Sequence, residues 1–324
     1  MRRALLSVAP WAVLAGCLYL VDLPVWVESP GGARSVLPLI TIDGAPTYDS
    51  DGRLLLTTVN VGRANLYYAL RAWLDPAAFV LSEEDVLPPG QTDEEYERLS
   101  LSQMDQSKIA GVAVALQHAT DYPRDHGAGA IVQDVVPGSP ADGLLFAGDL
   151  ITEMEGEPLT DLDQMSRFIA YGGEGRTIQM RVRTLEGGES RHVSVRTVFD
   201  EQQQRPIIGI FPIANFPFDV AIESGRIGGP SAGLMWALGV TDLLTSLDLT
   251  GDRVIAGTGT VGLDGEVGPI GGIGLKVVAA ERAGADTFLV PQENLAGARA
   301  AETDLKLVSI LNVGQAITYL EDAA

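Results

Sequence analysis

Residues 227–238, IGGPSAGLMWAL, join two glycines and a proline to an apolar run with helical spacing, and they set Ser231 at the joint. Glycine and proline decide where a chain turns and where a helix begins, so this segment dictates a tight turn followed by a helix apolar on most sides. Such a helix is buried. A serine at a helix start ordinarily accepts a hydrogen bond from the N–H two or three residues on, which is a capping role. A nucleophilic role requires a base within reach of the hydroxyl.

Gly229-Pro230-Ser231-Ala232-Gly233 also fits G-x-S-x-G, in which a strand delivers a nucleophilic serine and a histidine follows it in the chain. The three histidines, His118, His126 and His192, all precede Ser231, so that arrangement is excluded. A lysine can serve as the base instead when apolar burial lowers its pKa. Only Lys108, Lys276 and Lys306 stand among the 22 basic residues. The others are arginine, which cannot act as a base. Lys276 lies in PIGGIGLKVVAA between Leu275 and Val277, the surroundings such a base needs. The competing reading is a lysine whose stem covers a partly buried helix while its amine reaches water.

At 324 residues the chain can build two compact domains. A net charge of −21 opposes attraction to phosphate backbones, so no nucleic-acid partner is expected. The single cysteine, Cys17, excludes an intramolecular disulfide and thiol chemistry in the body of the protein. After Arg2 and Arg3, the uncharged, mostly apolar residues 4–21 approach the roughly 20 residues of a membrane-spanning helix. The arginines would stay in the cytoplasm, which makes this a single-pass cell-membrane protein with its body outside the cytoplasm. Leu14-Ala15-Gly16-Cys17 also fits a lipoprotein cleavage box, and a cleaved secretory signal is a third reading. Against both, the apolar run continues past Cys17 to Val21.

Residues 1–27 are therefore expected to form the anchor. Residues 28–119 read as strands, SVLPLITIDG and GRLLLTTVNV, then as helices, NLYYALRAWLDP and SQMDQSKIAGVAVALQHA, separated by the acidic loop LSEEDVLPPGQTDEEYERLS. Residues 120–199 alternate short strands with two helices. Here GAGAIVQDVVPGSPADG and LLFAGDLITEMEGEPL resemble a PDZ domain of the bacterial protease type. The resemblance implies that Gly127, Ala128, Gly129, Ala130 and Ile131 are the loop and strand edge that receive the C-terminus of an extended peptide. Such a loop offers N–H groups to the carboxylate, and the edge accepts the peptide as an added strand. The alternative is a groove closed by a neighbouring segment.

Residues 200–324 are apolar and glycine-rich, with strands and helices in irregular alternation. GGPSAG, TGTVGLDGEVGPIGGIGLKVVAAERAGA and FLVPQEN, within residues 205–320, resemble the proteolytic domain of Lon-type serine proteases. The resemblance implies Ser231 as nucleophile, Lys276 as general base and Thr258 as the residue orienting the lysine amine. Gly229 and Pro230 would shape the turn, with the Gly229 and Ser231 N–H groups holding the oxyanion. With its anchor and PDZ-like segment, the whole chain is most similar to the YlbL-like, ATP-independent Lon-related proteases of bacteria. Two features depart from ATP-dependent Lon. Gly228 stands where Lon usually carries an acid, and no lysine follows a glycine as the phosphate-binding Gly-Lys-Ser/Thr motif requires.

The expected fold is α+β: an N-terminal transmembrane helix, a PDZ-like β-rich domain and a Lon-type proteolytic domain of mixed α/β layers. The early strands, GRLLLTTVNV above all, resemble the opening strands of the Lon-like fold, which would make the PDZ unit an insertion. The resemblance implies a serine endopeptidase acting on polypeptides, with no cofactor, metal ion or ATP, and assembly into homo-oligomers as Lon relatives do. The alternative is a non-catalytic, membrane-anchored peptide-binding scaffold with a degenerate Lon-like domain.

Overall fold

The structure is a computed structural model that describes residues 19–75, 77–87, 90–171 and 173–323. The expected anchor, Cys17 included, falls largely on residues 1–18 and so lies outside the described residues. Strand β1 (Asp22–Ser35) takes up residues 22–27 of the segment expected to be anchor. No helix among the described residues is long and apolar enough to cross a membrane.

β1 pairs antiparallel with β2 (Arg53–Asn65), and α1 (Leu66–Leu74) follows at once. Asn65 caps α1 by accepting the Tyr68 N–H at 3.0 Å. β3 (Phe79–Ser82) then returns along the other edge of β1. α2 (Asp93–Ala119) begins well inside the segment that reads as an acidic loop. The reason is a reciprocal cap: Thr92 Oγ1 accepts the Glu95 N–H at 3.2 Å, and the Glu95 carboxylate accepts the Thr92 N–H at 2.8 Å. The acids of TDEE therefore sit in a first helical turn, where the helix dipole favours negative charge.

Next comes a five-strand antiparallel path: β4 (Gly127–Val135), β5 (Asp149–Met154), helix α3 (Leu162–Tyr171), β6 (Thr177–Thr184), β7 (Arg191–Arg196) and β8 (Ile210–Asn215). The spatial order is β8-β4-β5-β6-β7, around its own apolar cluster that includes Ile151, Met154, Met165 and Val182. β8 lies past residue 199, where the change in composition places the domain boundary. Pairing of Ile213 with Ile131 and of Ala214 with Ala130 carries this sheet on to residue 215.

The chain continues through α4 (Gly233–Leu244), β9 (Val254–Gly257), α5 (Ile273–Arg282), β10 (Thr287–Pro291), β11 (Lys306–Ile310) and α6 (Val313–Ala323). Its strands join the early ones in one sheet of order β11-β10-β9-β2-β1-β3, with β9 parallel to β2 and β10. The β4–β8 unit is thus inserted between two halves of a single sheet. The run Leu54-Leu55-Leu56 in β2 shows why the sheet holds. Successive side chains point to opposite faces, so Leu54 and Leu56 join Trp236 and Leu116 on one side. Leu55 packs with Ala256, Val277 and Phe288 beneath α5 on the other. Both faces are covered, which is why β2 opens with an unbroken apolar run and not an alternating one.

Candidate active site

Ser231 sits on the turn that leads into α4, and two elements hold that turn. Gly229 has φ +83, the left-handed region where glycine is at ease, and its N–H donates to the Ser100 carbonyl of α2 at 2.7 Å. Ser107 of α2 donates its hydroxyl to the Pro230 carbonyl at 3.0 Å. From the segment after β9, Thr258 Oγ1 and the Gly259 N–H donate to the Ser231 carbonyl at 2.9 and 2.8 Å. Gly228 packs closely on α2: a β-carbon there would lie 2.2 Å from Ser100 Oγ and 3.0 Å from Ser100 Cβ, so a larger residue at this position requires the Ser100 side chain to turn away.

α5 delivers Lys276 to the same point. Gly272, at φ 66, starts the helix, and Lys276 lies one turn in, only 4% exposed. Its Nζ donates to Ser231 Oγ at 2.8 Å and to the Thr57 carbonyl of β2 at 3.0 Å. Burial disfavours the ammonium and lowers the amine to about 8. The sequence separates the two residues by 45 positions; the sheet between α4 and α5 brings them into contact.

Three expectations change at this level. Ser231 does not cap α4: Ala232 is the N-cap residue, without a side-chain bond, and the serine hydroxyl faces the lysine. Thr258 lies at the site, but its hydroxyl holds the Ser231 backbone, while Thr57 orients the amine. The Gly229 N–H is committed to Ser100 and is not free for an oxyanion. Among the described residues, the N–H groups of Ser231 and Ala232 have no acceptor. Thr57 acts through a backbone carbonyl, so its side chain gives no signal in the sequence.

The site opens into a cleft of about 760 Å³ between β2, the first half of α2 and the Ser231 turn. β9 accompanies β2 only as far as Leu56, opposite Gly257. Beyond it, residues 57–61 of β2 line the cleft with an edge that, among the described residues, no strand covers on that side.

The five residues proposed as a peptide-receiving edge are placed differently. Gly127 to Ile131 belong to β4, an inner strand: Ile131 pairs with both Ile213 and Leu150, and Ala130 with both Ala214 and Ile151. The Gly127 N–H donates to the Phe216 carbonyl, and Asn215 Nδ2 donates to the Ala128 carbonyl at 2.8 Å. Gly129, at φ +102, makes the bend at which β8 docks. The neighbouring segment that closes this edge is β8, whose own outer edge is unpaired among the described residues. A groove of about 640 Å³ runs there, lined by Met165, Ser166 and Ile169 of α3 and by residues 207–212.

Residues 219–317 match the Lon protease (S16) C-terminal proteolytic domain, and residues 131–184 match the PDZ domain family. The chain carries a Lon-type proteolytic domain and a PDZ domain. Ser231, Thr258 and Lys276 all fall within the Lon-type match. The chain is 32% identical over 111 residues to a Lon protease of Rickettsia felis, a match covering 32% of this chain and 14% of that one. It is 50% identical over 68 residues to Lon protease 1 of Herpetosiphon aurantiacus, covering 21% and 8%. Against Lon protease 2 of Bacillus subtilis it is 38% identical over 80 residues, covering 25% and 13%. The matches thus span a small part of these relatives, at most 14% of their length. The PDZ domain of an SdrC-like protein from Listeria monocytogenes aligns at 26% identity and TM-score 0.25, over 26% of this chain and 88% of that one.

Proposed function

We propose that this chain is a membrane-anchored serine endopeptidase that works without ATP and whose PDZ domain holds extended ends of its polypeptide substrates. The observation that carries the reading is the 2.8 Å contact between Ser231 Oγ and the buried amine of Lys276. With the amine near 8, roughly a tenth of it is neutral at pH 7. Neutral Lys276 takes the Ser231 proton, and the alkoxide attacks a peptide carbonyl to form a tetrahedral oxyanion. The Ser231 and Ala232 N–H groups at the amino end of α4 hold that oxyanion, each such donor typically contributing ~3 kcal/mol. The lysine returns its proton to the leaving amine, and water then hydrolyses the acyl-serine. The open edge of β2 at residues 57–61 lets a substrate dock as an added strand, which brings its carbonyl to Ser231.

In the PDZ domain the outer edge of β8 plays the corresponding part. The N–H groups of Ile208 and Gly209 have no acceptor among the described residues and serve a C-terminal carboxylate. Residues 4–21 hold the chain in the membrane. The test is to incubate the full chain with an unfolded protein beside Ser231→Ala and Lys276→Ala. Cleavage by the parent alone supports the dyad. Equal cleavage by all three would sink it, and cleavage by none would favour the non-catalytic scaffold.

A further inference from the structure

α1 turns its apolar stripe away from the protein. Leu66, Leu70, Trp73 and Leu74 recur at i, i+4, i+7 and i+8, which sets them on one side of the helix. They are 38%, 46%, 79% and 71% exposed, while Ala72 is the buried residue of the helix. Single exposed leucines are ordinary in soluble proteins, but a whole helical stripe facing outward marks an interaction surface. Acidic charge is withdrawn from the same region. Between Asp51 and Glu83, in a chain of net charge −21, there are three arginines and one acid, Asp75.

The end of the apolar N-terminal run is fastened to this helix. Tyr19 stacks on Tyr67 with ring centroids 4.8 Å apart. Asn65 Nδ2 donates to the Tyr19 carbonyl at 3.2 Å, and the Leu66 N–H donates to the Val21 carbonyl at 3.0 Å. A segment of bilayer-spanning length therefore leaves the fold at the amino end of α1. An outward apolar stripe flanked by tryptophan and tyrosine has the make-up of a helix lying at the headgroup level.

We propose that the outer face of α1 rests in the lipid interface, so that the bilayer holds the body of the protein at a second place besides the anchor. The proposal builds on residues 4–21 being a membrane anchor. It also orients the enzyme. β2 runs from Asn65, at α1, to Thr57, at the Lys276 amine, a span of roughly 26 Å at the usual rise of a strand. The Lys276 amine thus lies no more than roughly 26 Å from the membrane-facing helix.

The test uses the full chain with Cys17→Ser and a single cysteine at Leu70→Cys, Trp73→Cys or, as a control on 92%-exposed Tyr171, Tyr171→Cys. Each is spin-labelled and reconstituted into phosphatidylcholine–phosphatidylglycerol vesicles. Labels at the two α1 positions should favour collision with oxygen over an aqueous nickel chelate severalfold more than the control. Flotation of the same vesicles reads the anchor independently. Free nickel access at both α1 positions in chain that floats overturns the proposal and leaves the anchor standing; failure to float overturns both. Shielding from both probes with label–label broadening would place a second copy on the face, which also overturns the lipid assignment. Trp73→Glu combined with Leu74→Glu should return the Leu70→Cys label to water without changing peptide hydrolysis.

Discussion

Ser107 donates its hydroxyl to the Pro230 carbonyl at 3.0 Å, tying α2 to the turn that carries Ser231 across 123 residues of chain. Together with the Gly229 N–H on the Ser100 carbonyl, this gives the turn two points of attachment to one helix. Ser107→Ala removes the first; because Pro230 is exposed, water can take the carbonyl, and the loss is that of an ordinary hydrogen bond, about 1 kcal/mol. We expect a lower urea midpoint and a fall in kcat with KM nearly unchanged, because residues 57–61 of β2, where the substrate is proposed to dock, are untouched. A rise in KM with kcat unchanged would place the effect elsewhere.

Lys276 predicts a pH dependence whose sign follows from burial. The folded amine titrates at about 8 and the unfolded lysine near its ordinary 10.5, so the unfolded chain holds more protons between those values. Stability therefore rises with pH across this window; below about 8 the fold bears the burden of the buried charge in full. Lys276→Met, apolar and of similar length, should be inactive yet more stable than the parent at pH 7, with the gap closing toward pH 10.5. In the parent, kcat/KM for a short peptide should climb through an apparent pKa of about 8. Urea unfolding and initial rates across a pH series measure both.

The meeting of Ser231 and Lys276 is legible in the sequence because side-chain type points to it: a serine on a glycine turn, and a lysine in apolar surroundings where the chain otherwise chooses arginine. Their partners are not legible to the same degree. Thr57 contributes a carbonyl that any residue would supply. Thr258 has the right type, but only the fold decides that its hydroxyl meets the Ser231 backbone and not the lysine. The Gly229 N–H is spent on Ser100, 129 residues earlier, a contact that no local pattern announces. Likewise β8 lies beyond a shift in composition, and only its pairing with β4 shows that it edges the PDZ sheet.

Gly111 sits where α2 crosses α4, and it sets how near the two helices come. Replacing a helical glycine by alanine ordinarily gains about 1 kcal/mol. Here the added carbon would lie 2.9 Å from Trp236 Cβ and 3.0 Å from the Gly233 carbonyl. Neither atom can swing aside as the end of a flexible chain would, and overpacking of this kind costs ~1–3 kcal/mol. Gly111→Ala should therefore lower the melting temperature despite its better helix propensity. Because Gly233 opens α4 directly behind Ser231, kcat should fall as well. A higher melting temperature would mean the crossing is looser than these distances imply.

The final prediction separates the two candidate PDZ edges. If peptides dock along β8, the floor of the groove is half-buried Ile169 on α3, and Ile169→Arg places a charge where the peptide's last apolar side chain would rest. Binding of a peptide with a free C-terminus to the full chain should weaken by tenfold or more, about 1.4 kcal/mol. Hydrolysis of a short peptide should be unchanged, since Ile169 lies in a separate domain from Ser231. Amidation of the peptide's C-terminus should cost the parent a similar amount, because the Ile208 and Gly209 N–H groups would lose their carboxylate. Ala128→Lys, exposed at the start of the inner strand β4, should leave binding as it was. Calorimetric titration of the parent and both variants distinguishes the edges: loss with Ala128→Lys and none with Ile169→Arg would return the peptide to β4.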